Sequence, residues 1–254
     1  MYQQRGFFSN IPPVVKNLLI INGLIFLATY FFIKGVTIPG IGFTRVDLNN
    51  IFGLYTPGSE QFNFFQYLSY MFMHSSRDFT HVFFNMFAVF MFGRILERTW
   101  GPQKFLFYYL ATGIGAGVLY VLVAFIRAKM LAASLPPEIV AEIYTQGHSI
   151  LLEGKNYVNE TAATLNHLIN APMVGASGAV FGLLLAFGMM FPNEQIYLYM
   201  IVPIKAKYFV IGYGGIELFL LMQNNPGDNV AHLAHLGGML FGFILIRFWR
   251  KKQF

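Results

Sequence analysis

Along this chain, apolar residues gather into six long blocks joined by polar links, and that alternation predicts the architecture before any motif does. The blocks run from Leu18 to Ile33, Val82 to Leu96, Phe105 to Ile126, Met173 to Phe191, Tyr208 to Met222 and Val230 to Trp249. A helix crossing the hydrocarbon of a bilayer needs about 20 predominantly apolar residues, so each block is predicted to be a membrane-spanning helix. The first follows Lys16 and lacks a small-x-small cleavage site, which marks it as a retained helix rather than a signal peptide. A further apolar stretch, Ile196 to Ile204, is cut from the fifth block by Lys205 and Lys207 and is expected at the membrane interface, not across it.

Two links are long. Residues 34–80 mix aromatics such as Phe62, Phe64, Phe65, Tyr67 and Tyr70 with the turn signal Thr56-Pro57-Gly58, and are expected to form an outer loop seated in the interface. Residues 127–170 form a second outer loop, in which Pro136-Pro137 followed by Glu138, Ile139, Val140, Glu142 and Ile143 predicts the start of an amphipathic helix. Asn159-Glu160-Thr161 matches a glycosylation sequon, a pattern too short to carry weight.

Composition agrees with the pattern. Of 254 residues 56% are hydrophobic and 11% charged, against a charged share of roughly 25% in soluble domains, so one integral membrane domain is expected to fill residues 1–254. The net charge of +6 is scattered over block ends without a basic face, which argues against nucleic acid. Cytoplasmic loops are enriched in Lys and Arg. With the N terminus inside, the inner segments hold Arg5, Lys16, Arg94, Arg98, Lys104, Lys205, Lys207, Arg247, Arg250, Lys251 and Lys252, while the longer outer ones hold Lys34, Arg45, Arg77, Arg127, Lys129 and Lys155. Both termini are therefore expected in the cytoplasm, and the second, fourth and sixth helices run from outside to inside. No cysteine is present, which excludes thiolate nucleophiles and Cys-ligated metals.

Polar groups within spans are expensive and so mark candidate function. On this topology His81 and Asn85, four apart on one helical face, gather at one depth with Ser177, His232, His235 and Glu217. Gly178 and Gly182 on the fourth helix and Gly238 and Gly242 on the sixth have the small-xxx-small spacing that lets backbones nearly touch, bringing Ser177 within reach of His235. A hydroxyl becomes a nucleophile when a neutral imidazole takes its proton. Donors for an oxyanion could come from the Ser177 backbone N–H, unpaired at a helix start, and from His81 and Asn85.

These residues resemble a known family. GASG at 175–178, AHLGGMLFG at 234–242 and HVFFN at 81–85 are similar to the signature motifs of rhomboid intramembrane serine proteases, and span count, orientation and motif order agree over nearly the whole chain. The resemblance implies an all-α bundle of six transmembrane helices with Ser177 as nucleophile, His235 as base, His81 and Asn85 on the oxyanion side, and Gly175 and Phe181 in support. It implies a structural role for Glu97 and Gly101 in GRILERTWG, no cofactor, and single-pass or polytopic transmembrane proteins as substrates within the lipid bilayer. Two positions depart: Phe65-Gln66 stands where some rhomboids carry Trp-Arg, and Phe181 where some carry tyrosine.

Other readings are weaker. His232-x-x-His235 lacks the glutamate of H-E-x-x-H, so no metal site is expected. No carboxylate is placed beside His235, so the pair reads as a dyad, and Glu217 receives no catalytic role. His74 is expected to support the first outer loop, and His148 and His167 to lie on the surface. A catalytically silent rhomboid-like protein would lack the serine or the histidine, and a transporter would spread polar groups through the full depth. Without organellar targeting features, the default location is a bacterial inner membrane.

Overall fold

Helices dominate the computed structural model, which describes residues 10–38, 42–76, 78–198, 201–223 and 229–251. Arg5, Arg77, Asp228 and Lys252, named above, lie outside the described residues. In chain order the helices are α1 (Pro13–Lys34), α2 (Leu48–Phe52), α3 (Gln66–Ser69), α4 (Phe79–Trp100), α5 (Pro102–Ala132), α6 (Pro137–Leu152), α7 (Glu160–Asn170), α8 (Ser177–Met190), α9 (Ala206–Met222) and α10 (Asn229–Lys251). Four of them, α1, α4, α5 and α10, contain stretches long and apolar enough to cross a membrane.

The fourth apolar block departs from its expected bounds. Helix α8 starts at Ser177, not Met173, and its 14 residues rise about 21 Å against roughly 30 Å of hydrocarbon. The missing turn is strapped to the first long link instead. Leu54 and Met173 exchange backbone hydrogen bonds of 2.8 and 2.9 Å, and the Gly175 N–H donates to the Tyr70 carbonyl at 3.0 Å. Gly175 turns the chain there with φ +133, a conformation that glycine adopts without a Cβ penalty.

Two short antiparallel hairpins qualify the all-α expectation: β1 (Val36–Ile38) with β2 (Gly42–Thr44), and β3 (Gln195–Leu198) with β4 (Val202–Lys205). The second occupies the stretch expected at the interface. Pro203 cannot donate a helical hydrogen bond, and Ile196, Val202 and Ile204 are β-branched, so a ribbon is the conformation these residues favour.

The link 127–170 is not a loose loop. Its expected helix is α6, which folds back on α7 around a small core of Ala128, Ile143, Ala162, Leu165 and Ile169. Asn159 of the sequon caps α7, its Oδ1 accepting the Ala162 N–H at 2.9 Å. Asn170 donates to the Ile143 carbonyl at 2.8 Å and to Asn166 Oδ1 at 2.9 Å, closing the hairpin. The hairpin is bolted to residues 54–59 by Thr56 Oγ1, which donates to the Leu168 carbonyl at 2.7 Å.

Within the first long link, Gln66 stands where some rhomboids carry arginine, and it forms a hub. Gln66 is 2% exposed. Its Oε1 accepts the N–H groups of Tyr55 (3.3 Å) and Asn63 (3.1 Å), while Nε2 donates to the carbonyls of Ile51 (3.2 Å) and Gln61 (2.8 Å). Phe64 and Phe65 beside it point outward, 80% and 58% exposed.

Helix α8 is the centre of the bundle, packing most extensively against α10 and next against α5. The glycines meet in register. A Cβ on Gly238 would lie 1.8 Å from the Gly178 carbonyl oxygen, and one on Gly242 would lie 3.4 Å from the Gly182 Cα. From the α5 side, Ala116 faces Gly178, Thr112 faces Gly182, and Tyr108 donates to the Gly182 carbonyl at 2.8 Å. Glu97 fills the structural role expected of it: its carboxylate accepts the Val14 and Val15 N–H groups at 3.0 and 2.8 Å, capping α1, whose own Pro12 offers no side-chain cap.

Candidate active site

Ser177 opens α8, so its backbone N–H has no partner within the helix. Its side chain lines a cavity of 1550 Å³ together with His81, Asn85, Gly175, Phe181 and His235, so all six sequence-predicted site residues border one space. The space is a cleft with α4 on one side and α8, α9 and α10 on the other. Most of the wall is apolar, and Ser177, His81, Asn85 and His235 are among its polar groups.

Geometry within the cleft is closely specified. A Cβ on Gly175 would lie 3.1 Å from His81 Nε2 and 3.6 Å from Ser177 Oγ, so both side chains reach the point that this glycine leaves vacant. Phe181, one turn after Ser177, stacks on the His235 ring with centroids 4.0 Å apart and planes 8° from parallel. Tyr213 of α9 stacks on the far face of the same column at 5.3 Å from Phe181. Asn85, which borders the cleft, spends one amide proton on the His81 carbonyl, 2.8 Å away, and has a second to donate.

Behind His81 stands His74, 1% exposed, its ring 5.3 Å from that of His81. It does support the first long link, but through its carbonyl, which accepts from Asn49 Nδ2 at 3.3 Å. Burial, reinforced by the neighbouring His81, pushes the imidazole pKa down to about 4, so it is neutral at ordinary pH. His148 and His167 were expected on the surface, and both are half-buried. His148 Nδ1 sits 3.3 Å from the Asn170 carbonyl and its ring lies against Tyr55. His167 lines the cleft, where burial lowers its pKa.

The main correction concerns Glu217. It is 5% exposed, and its Oε2 lies 2.6 Å from His232 Nδ1 and 3.0 Å from His235 Nδ1. A buried carboxylate therefore does stand beside His235. The clue was in the chain: Glu217 lies just before the α9–α10 connection and the histidines just after it, so antiparallel helices put them at one height. A search for a carboxylate on the histidines' own helix misses it. Glu217, His232 and His235 bring ligand atoms within 4.8 Å of one another, a set suited to a metal ion. Ligands about 2.0 Å from a tetrahedral ion stand roughly 3.3 Å apart, so contacts of 2.6 and 3.0 Å are those of hydrogen bonds.

Residues 61–252 match the family model described as Rhomboid domain. The chain is 28% identical over 177 residues to RHOMBOID-like protein 12, mitochondrial, of Arabidopsis thaliana, covering 70% of this chain and 44% of that protein. It is 25% identical over 198 residues to an uncharacterized mitochondrial rhomboid protein of Schizosaccharomyces pombe, covering 70% and 50%. A third relative, from Bacillus subtilis and named as a candidate rhomboid protease, is 27% identical over 172 residues, covering 66% and 59%. The chain thus spans about half the length of the curated relatives it matches. With a family match over three quarters of its length and the family's motif residues gathered on one cleft, this chain belongs to the rhomboid family.

Proposed function

We propose that this chain is an intramembrane serine endopeptidase that cuts transmembrane proteins near the outer membrane face. Family membership supports an intramembrane protease-like function. The observation that carries the finer reading is that Ser177 and His235 border one cleft, with Phe181 from the serine's own helix stacked on the histidine ring.

In this mechanism His235 Nε2 takes the proton of Ser177 Oγ as the oxygen bonds to the scissile carbonyl carbon. The resulting oxyanion is met by the Ser177 N–H, by His81 and by the remaining amide proton of Asn85. Collapse breaks the C–N bond, and His235 passes its proton to the departing amine. A water then gives a proton to His235 and its hydroxide to the ester carbon, releasing Ser177 with its hydrogen restored. The mostly apolar cleft suits an unwound membrane segment as substrate, presented from the bilayer. No cofactor enters any step.

The reading extends to the whole chain: one rhomboid membrane domain over residues 1–254, α8 and α9 completing six crossings, and both termini on the cytoplasmic side by charge. Two of the three relatives are mitochondrial, so they lend nothing to the expected bacterial inner membrane; the location proposed is an integral, multi-pass one. Reconstitution with a model transmembrane substrate tests the function. Cleavage is expected from wild type and abolished by Ser177→Ala and by His235→Ala; activity surviving Ser177→Ala overturns the assignment.

A further inference from the structure

Glu217 sits in an apolar helix at a cost the fold does not need. Helix α9 turns Ala206, Val210 and Glu217 into the bundle and leaves Ile211, Ile216, Leu218 and Phe219 exposed. An apolar side chain at 217 would match its buried neighbours. A carboxylate there requires partners, and it has two, both imidazole nitrogens from α10.

With Glu217 ionised, the arrangement sets which nitrogen of each ring carries the proton. An ionised carboxylate oxygen accepts hydrogen bonds and donates none, so Nδ1 of His232 and Nδ1 of His235 would both donate to Oε2. A neutral His235 then has its lone pair on Nε2, the nitrogen that can accept the serine proton. The ring is held on two sides: Phe181 stacks on its face at 4.0 Å and Glu217 grips its Nδ1 edge at 3.0 Å. His232, with the shorter contact of 2.6 Å, holds the carboxylate itself.

The geometry points to Glu217 as a positioning residue for His235, fixing its tautomer and orientation and stabilising the imidazolium that forms when Ser177 is activated. The site is then a serine–histidine–glutamate relay of positions, with His232 as the outer support. This inference rests on the assignment of His235 as base, and the third group comes from α9.

Kinetics of Glu217→Gln and Glu217→Asp on a model transmembrane substrate test it. The glutamine keeps size but can present an N–H to Nδ1, favouring the wrong tautomer; kcat is expected to fall about 10²-fold or more with KM little changed, by analogy with loss of the orienting carboxylate in triads. The aspartate keeps the charge and is expected to recover at least tenfold over the glutamine. Ser177 labelling by a fluorophosphonate should follow the same order. Wild-type kcat in a folded Glu217→Gln overturns the positioning role, and so does an aspartate no better than the glutamine. A second measurement needs no variant: in wild-type protein labelled with 15N at histidine, His235 is expected to be protonated at Nδ1, and a ring protonated at Nε2 alone refutes the inference. Cleavage retained by Ser177→Ala or His235→Ala would instead overturn the protease assignment, a distinct failure.

Discussion

The two sides of helix α8 obey opposite rules. Toward α5 and α10 it is sealed: backbone meets backbone at Gly178 and Gly238, and no added atom fits. Toward α4 and α9 it borders 1550 Å³ of open cleft. Ser177 lies at the edge between them. The sealed side fixes where the serine and histidine stand, because two helices in backbone contact cannot slide or spread, and the open side leaves the space beside them unfilled. Precision and access are thus assigned to different faces of one helix.

Adding volume to the seam should break this division most severely. Gly238→Leu drives a side chain into the Gly178 carbonyl, and a loss of about 3 kcal/mol or more is expected, seen as a large drop in thermal unfolding temperature together with lost cleavage. The wall behind His81 should reject charge as the seam rejects volume. His74 is neutral when folded, with its pKa near 4 against an ordinary 6.5, so between those values the unfolded state binds the extra proton and stability falls as pH is lowered. Unfolding temperature measured from pH 7 to 4 should decline in wild type and decline less in His74→Gln. Gly182→Ala, whose new methyl meets Thr112 Cβ, Oγ1 and Cγ2 at 2.7–2.9 Å, should cost about 1–3 kcal/mol, since the Thr112 Cβ moves only with the backbone of α5. The cleft supplies the contrasting case. Ala88→Trp, on the α4 wall, should leave unfolding within about 0.5 kcal/mol while lowering kcat/KM for a transmembrane substrate roughly tenfold. A strong destabilisation by that change would show the cleft to be as tightly filled as the seam.

Much of this was legible because it depends on local pattern. The apolar blocks marked the helices, and the spacing of Gly178, Gly182, Gly238 and Gly242 marked which of them touch. What escaped depends on partners distant in sequence. The first turn expected of α8 became a strap because Met173 and Gly175 found hydrogen-bond partners at Leu54 and Tyr70, more than 100 residues earlier. The 127–170 link became a helical hairpin because its small apolar core closes only when α6 and α7 meet. Glu217 was visible as an oddity, but its meaning required two helices to be folded against each other. His167 was placed on the surface because a histidine in a polar link gives no sign of the cleft it borders.

The cap on α1 has a consequence for how the protein is made. Val14 and Val15 wait for a carboxylate 83 and 82 residues further along, so during synthesis the first turn of α1 emerges with open amides and cannot be completed until α4 is in place. Its N-terminal turn is therefore an early segment that finishes late, closing only when Glu97 near the end of α4 has packed against it.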